Sequence, residues 1–181
     1  MTALFTIRPD KIVEASSLRA LAIRTFRDTF TEGSQPADME AYLQTAFSLA
    51  RTRSELSDPN NIFLLLFPDG ETLPYGYTKL RIGTVEPSVR GDLPIELERL
   101  YVDKSVLRQG FGSVLMKAAI AKSAELAYDT LWLGVWEHNY RAIAFYKRWG
   151  FKQVGAHPFV LGSDHQTDLI FQRPVKESRS V

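Results

Sequence analysis

The sequence predicts an α/β protein: a mixed sheet with helices packed on both of its faces. Three observations carry that reading. From residue 95 onward the chain alternates strand, helix, strand, helix, strand, strand. A strand–helix–strand unit requires a parallel pair joined by a right-handed crossover. Residues 61–82 hold two strand-like runs around the turn-forming stretch PDGETLP, which is an antiparallel hairpin. Finally, 45% of the 181 residues are hydrophobic, enough to bury a core. No repeat, low-complexity segment or linker divides the chain, so residues 1–181 read as one domain.

In order, residues 3–7 read as a short strand. Leu18, Leu21, Ala22, Thr25 and Phe26, continued by Thr29 and Phe30, recur at helical spacing. Met39, Tyr42, Leu43, Ala46, Phe47 and Ala50 repeat the pattern as a second helix across residues 34–53, with Pro36 suited to its first turn. NIFLLLF is too short and too apolar for a surface helix and is a buried strand; YGYTKLRI returns beside it. Residues 83–94, with two glycines and two prolines, are a loop. Then follow strand 95–102, helix 109–126, strand 131–135, helix 139–149, and strands 151–160 and 165–172.

Composition excludes several functions. With 22 basic and 21 acidic residues the net charge is +1, which gives no overall pull toward nucleic acid or an anionic membrane. The absence of cysteine removes disulfides, thiolate metal sites and cysteine nucleophiles. His138, His157 and His165 lie on separate segments without metal-ligand spacing, so they read as structural or solvent-facing and no metal is expected. The amino-terminal stretch lacks the apolar core of a signal peptide and no apolar run is long enough to span a bilayer, so a cytoplasmic location is expected.

The stretch RQGFGS places two glycines at the carboxyl end of strand 95–102, where the next helix begins. Ligands favour this end of parallel strands. A helix start also leaves N–H groups unpaired and a partial positive charge. Glycines there let a phosphate approach the backbone, with Arg108 adding charge. A tight strand-to-helix turn without a ligand would use the same residues. The spacing is neither a Walker loop nor a full dinucleotide fingerprint, since Ser113 and Val114 stand where a third glycine would be.

Two segments together go further. VDKSVLRQGFGSVLMKAAIAKSAE, followed by LWLGVWEHNYRAIAFYKRWGF, resembles the GCN5-related N-acetyltransferase (GNAT) superfamily. Its loop pattern, Arg/Gln-x-x-Gly-x-Gly/Ala, is matched from Gly110 to Gly112, with Leu107 departing at the first position. Its downstream pattern is matched by Asn139, Tyr146, Gly150 and Phe151. TFRDTFTE, ELERLYV, GAH and QTDLI extend the likeness to bacterial PaiA-type polyamine N-acetyltransferases over nearly the whole chain. The resemblance implies a mostly antiparallel sheet of about seven strands, splayed between strands 95–102 and 131–135. It also implies acetyl-CoA as cosubstrate, a small amine such as spermidine or spermine as acceptor, and self-association, for which a homodimer is one form while the sequence leaves the number of subunits open.

Acetyl transfer to an amine must remove a proton from the amine, polarise the thioester carbonyl and assist the leaving thiolate. For polarisation the resemblance points to backbone N–H groups of Leu100, Tyr101 and Val102 at the splay. Donors aimed at a developing oxyanion are worth about 2.7–4 kcal/mol each. The implied cofactor site is Arg108, Gln109, Gly110, Phe111, Gly112 and Ser113, completed by Asn139, Arg141 and Tyr146. Asn139 and Tyr146 share one helical stripe, and Tyr146 is placed at the leaving thiolate; as an aromatic on an apolar stripe it could equally fill core. Glu96 and Glu98 have the same strand parity and so face one way. Either can serve as base, Glu98 aligning better with the family's acceptor-side carboxylate, or both can sit on a solvated face. The acceptor groove is expected between the first two helices and loop 83–94, with Asp28, Phe30, Glu98 and Glu137 receiving a cationic substrate.

Two alternatives stay open at this point. A protein amino terminus, a lysine or an aminoglycoside could replace the polyamine. The chain could also be a CoA-binding regulatory module with little turnover, against which the intact Asn139–Tyr146 motif argues.

Overall fold

The computed structural model of the protein describes residues 5–9, 15–30, 35–161 and 164–176. The apolar spacing from Leu18 to Phe26 forms α1 (Ala15–Phe30), with Leu18, Leu21, Ala22, Thr25 and Phe26 buried along one stripe. The Thr25 hydroxyl donates to the Leu21 carbonyl 2.9 Å away, so a polar group on that stripe stays satisfied. The second helix expected over 34–53 is instead two, α2 (Pro36–Ala46) and α3 (Leu49–Ser57). Pro36 occupies the first turn of α2, as expected. The break falls at Phe47, whose backbone leaves the helical region, and Ser48 caps α3 by accepting from the Arg51 N–H. Apolar spacing continues through the break because both helices bury the same face, which is why periodicity alone ran them together.

The strands are β1 (Phe5–Pro9), β2 (Asn61–Pro68), β3 (Gly76–Arg81), β4 (Pro94–Val102), β5 (Thr130–Trp136), β6 (Lys152–Leu161) and β7 (Asp164–Pro174). Of the strand expected at 3–7, residues 3 and 4 lie outside the described residues, as does the side chain of His165. One seven-stranded sheet results, in the order β1-β2-β3-β4-β5-β7-β6. All neighbours are antiparallel except β4 and β5. The crossover between those two is α4 (Phe111–Glu125), and α5 (Tyr140–Arg148) joins β5 to β6.

The helices divide between the faces. Helices α1 to α3 pack with Phe63, Leu65, Phe67 and Tyr77 of β2 and β3. Leu80, Ile95, Leu97, Leu131, Leu133 and Phe171 form the core of the opposite face with Met116 and Ala119 of α4. Residues of α5, among them Ala142, Ile143, Phe145 and Tyr146, pack at its edge.

Two features of β4 position the site. Lys79 pairs with Arg99 while the next residue, Leu80, pairs with Leu97, so Glu98 is the extra residue of a β-bulge. A bulge bends its strand and raises the local twist. On its other side β4 pairs with β5 only from Pro94–Thr130 to Glu96–Trp132. Beyond Glu96 the two strands part, which is the splay that the resemblance implies. Asp129 holds the closed end, accepting from the N–H groups of Asp92 and Leu93 at 2.9 and 3.0 Å.

Candidate active site

The splay opens into a cleft of about 860 Å³ that runs from the start of α4 to α1 and α2. One wall is the turn between β4 and α4. Arg108 and Gly110 both adopt left-handed backbone, with φ of 66° and 88°. Gly110 is the residue before α4 and supplies no side-chain cap. A Cβ there would meet nothing within 4 Å, so glycine is required by the backbone angle and not by crowding from protein. The open space beside it belongs to the cleft, which Arg108, Gly110, Phe111, Gly112 and Ser113 all line. Uncapped helix N–H groups and the helix dipole face that space. Gln109 is exposed and lies outside the lining, so its side chain does not join the cradle.

The splay leaves one edge of β4 without a partner strand. The Asp103 N–H donates to the Tyr75 carbonyl, and Tyr101 pairs with Tyr77. Backbone groups alternate sides along a strand. Tyr101 is therefore committed to the ladder with β3, while the N–H groups of Leu100 and Val102 face the opening. Of the three residues expected to present backbone donors, these two do.

Asn139 is the residue before α5, not part of it, and its Oδ1 accepts from the Ala142 N–H at 3.1 Å. That bond fixes the direction in which α5 leaves β5. The far end of α5 explains the Gly-Phe pair. The Gly150 N–H donates to the Lys147 carbonyl and the Phe151 N–H to the Tyr146 carbonyl, with Gly150 left-handed at φ 80°. This is a Schellman stop, which brings an apolar contact between Phe151 and Tyr146, whose ring centroids are 5.7 Å apart. The helix stop thus holds the tyrosine ring. Tyr146 lines the cleft, and its hydroxyl has no hydrogen-bond partner among the described residues. Burial pushes its pKa up to about 12. Such a phenol keeps its proton and acts as a hydrogen-bond donor.

The opposite wall is polar. The bulge places Glu98 and Arg99, adjacent in sequence, on the same face of the sheet, where simple alternation would separate them. Glu98 lies 2.9 Å from Lys79 Nζ, 3.2 Å from Arg99 and 3.7 Å from Arg81. Arg99 and Lys79 also reach Glu55 of α3, at 2.9 and 3.4 Å. The Lys79 side chain is only 3% exposed, and burial followed by the nearby Arg99 pulls its pKa down. Glu98 is thus a counter-ion for three cations. Glu96 has no ion pair within 4.0 Å among the described residues. Burial first, and then the charge of Glu98, raise its pKa. The two candidates thus differ in surroundings: Glu98 sits among three cations, and Glu96 is buried without an ion pair among the described residues.

Asp28 and Phe30, both expected at the acceptor groove, line the cleft from α1, and Tyr42 lines it from α2. Glu137 does not line it; this carboxylate lies outside beside His138, 4.0 Å away. Loop 83–94 is also absent from the lining. It packs over β6 and β7 instead, where the Arg90 N–H donates to Gln172 at 2.7 Å and Glu86 meets His157 at 3.2 Å. The lining residues that were not expected include Trp132, Trp136, His157 and Asp168. The period of two places Trp132, Gly134 and Trp136 on one face of β5, but only the sheet order brings Asp168 beside Trp136 and His157 beside Asp168. Trp132 is 4% exposed, and its buried indole N–H has no hydrogen-bond partner among the described residues.

Among the described residues no group of three or more His, Cys, Asp or Glu could hold a metal ion, and no helix is long and apolar enough to cross a membrane.

The family model of the acetyltransferase (GNAT) family matches residues 18–151. An uncharacterized N-acetyltransferase of Lactobacillus delbrueckii subsp. lactis is 36% identical over 154 residues, covering 85% of this chain and 88% of its own length. A probable spermine N(1)-acetyltransferase of Bacillus subtilis subsp. natto is 36% identical over 64 residues, 35% of this chain and 42% of its own. Among solved structures, the PaiA N-acetyltransferase of Thermoplasma acidophilum, in complex with coenzyme A, superposes with a TM-score of 0.75 at 20% identity. The match covers 94% of this chain and 99% of that one, and at this identity it establishes a shared fold.

Proposed function

This chain belongs to the acetyltransferase (GNAT) family, and from that premise we propose that it moves the acetyl group of acetyl-CoA to a primary amine of a polyamine such as spermidine or spermine. The observation that carries the reading is the single cleft with two unlike walls. One wall offers helix N–H groups and a phenol; the other offers carboxylates. The partial likeness to a probable spermine acetyltransferase supports the polyamine as acceptor.

The residues fit acetyl-CoA on two grounds: the left-handed glycine with open space beside it, and the strand edge bared by the splay. Arg108 to Ser113, without the Gln109 side chain, would hold the pyrophosphate, and Asn139 and Arg141 would lie along the rest of the cosubstrate. In the step itself, Glu96 takes a proton from the acceptor ammonium, directly or through water. The freed amine attacks the thioester carbon, and the developing oxyanion is met by the N–H groups of Leu100 and Val102. The C–S bond breaks as the C–N bond is kept. The Tyr146 hydroxyl donates a hydrogen bond to the leaving sulfur, and the second proton lost by nitrogen ends on the thiol. With a thiol pKa about 8.5, a phenol near 12 stabilises the thiolate without giving up its proton.

Steady-state assay of acetyl-CoA with spermidine, spermine, simple monoamines, lysine peptides and an aminoglycoside tests the acceptor. The polyamines are expected to give the highest kcat/KM. A peptide or aminoglycoside preferred over both would overturn the polyamine reading and leave the acetyltransferase reading intact.

The cradle has its own test. Gly110→Val puts a branched side chain at a positive φ, which costs roughly 1–2 kcal/mol of stability, and fills the space beside the helix start. Calorimetry on the folded variant is expected to show CoA affinity reduced about tenfold or more. Wild-type affinity in that variant would remove the cradle.

A further inference from the structure

Among the carboxylates that line the cleft, Asp168 stands apart. Glu98 is matched by three cations, and Glu96 stands near the point where the strands part. Asp168 lies on β7, across β5 from β4, and is paired in register with Trp136 and His157. No ion pair or hydrogen bond joins it to any described residue. The charged or titratable groups near it are His157, which is held by Glu86 at 3.2 Å, and Tyr42 of α2. Burial raises its pKa, and the nearby His157 offsets only part of that rise.

The floor between Glu96 and Asp168 is also informative. Trp132 and Trp136 flank Gly134, where a Cβ would lie 3.5 Å from Asp168 Oδ2. Any side chain at 134 would abut the carboxylate, so glycine keeps a channel open to it. Glu96 is level with Trp132 and Asp168 with Trp136. Four residues along the strand and two strand spacings across put their backbones roughly 16 Å apart. Trp132, on the same face of the strand as Gly134, also lines the cleft.

We infer that Asp168 is the specificity residue of the acceptor site: it binds the distal ammonium of a polyamine while the reacting amine lies at Glu96, with the channel over Gly134 carrying the chain between them. A carboxylate already desolvated gains more from an arriving cation than a hydrated one does, because part of the desolvation cost is met on folding. A monoamine would reach Glu96 but leave Asp168 unmatched, so Asp168 distinguishes acceptors by length and second charge. This inference rests on the polyamine reading.

The test compares spermidine with propylamine, which has a reacting end but no second ammonium. Asp168→Asn keeps the shape and removes the charge. It is expected to raise the spermidine KM by roughly tenfold or more, to leave kcat and the acetyl-CoA KM near wild type, and to leave kcat/KM for propylamine unchanged. Asp168→Glu should restore part of the spermidine KM. If Asp168→Asn fails to fold, Gly134→Val, which keeps the charge and narrows the channel, is expected to show the same selective rise. An unchanged spermidine KM, or an equal loss with propylamine, overturns the role of Asp168 and leaves the polyamine reading standing. Wild-type enzyme that does not favour spermidine over propylamine overturns both.

Discussion

Tyr146→Phe is expected to lower kcat by about 10²–10⁴-fold, the yield of a positioned acid or donor. The variant removes one oxygen and keeps the ring against Phe145 and Phe151. Since the hydroxyl has no partner among the described residues, thermal stability should hardly move. The CoA Kd and the amine KM should also stay close to wild type, because the hydrogen bond strengthens only as sulfur gains charge. Rates with an acyl donor whose thiol is more acidic should fall less, since a better leaving group needs less help. Stopped-flow or steady-state kinetics with the two donors decides the matter. A variant that turns over at the wild-type rate would return Tyr146 to a packing role.

Glu96→Gln is expected to produce the other large loss. Its kcat/KM for the amine should fall about 10²–10⁴-fold, and the ionisation of the base should vanish from the pH–rate profile. Stability should move the opposite way. Burial and the charge of Glu98 raise the Glu96 pKa in the folded protein. The unfolded chain therefore ionises first, and the wild-type protein loses stability as pH rises from the unfolded pKa through the folded one. Replacing Glu96 by Gln removes that loss, so its Tm should exceed wild type at neutral pH, and the difference should shrink below the ordinary glutamate range. Glu98→Gln makes the contrast. It leaves Lys79, 3% exposed, with a weaker partner, and is expected to destabilise by about 1–3 kcal/mol with a smaller kinetic effect. Equal rates for Glu96→Gln and wild type, or a lowered Tm, would take the base assignment from Glu96.

Both results depend on a feature that strand periodicity does not contain. Alternation places Glu96 and Glu98 on one face and Arg99 on the other. The bulge at Glu98 resets the alternation, so Arg99 joins the glutamates, and the ion network that engages Glu98 follows. A bulge arises from pairing with β3 and has no signature in the spacing of β4 itself. The α2–α3 break was hidden for a similar reason. Ser48 is an adequate cap, but the apolar stripe passes through it uninterrupted, and only the backbone at Phe47 shows where the helix ends.

What the sequence determined by itself is whatever depends on neighbours along the chain. The helix stripes, the β2–β3 hairpin, the left-handed Gly110 and the Gly150–Phe151 stop are all local, since they follow from backbone angles and spacings of a few residues. The turn at Gly110 and the place of Tyr146 on α5 were legible because one helix start and one helix end define them. The tertiary structure alone decided the far wall of the cleft. Asp168 and His157 come from strands β7 and β6, more than 60 residues beyond Glu96, and reach the cleft only because β7 inserts between β5 and β6. Whether a carboxylate is a base, a counter-ion or an anchor depends on which charges fold around it. Coulomb interaction and desolvation act through space within a few ångströms, and a linear sequence does not record that distance.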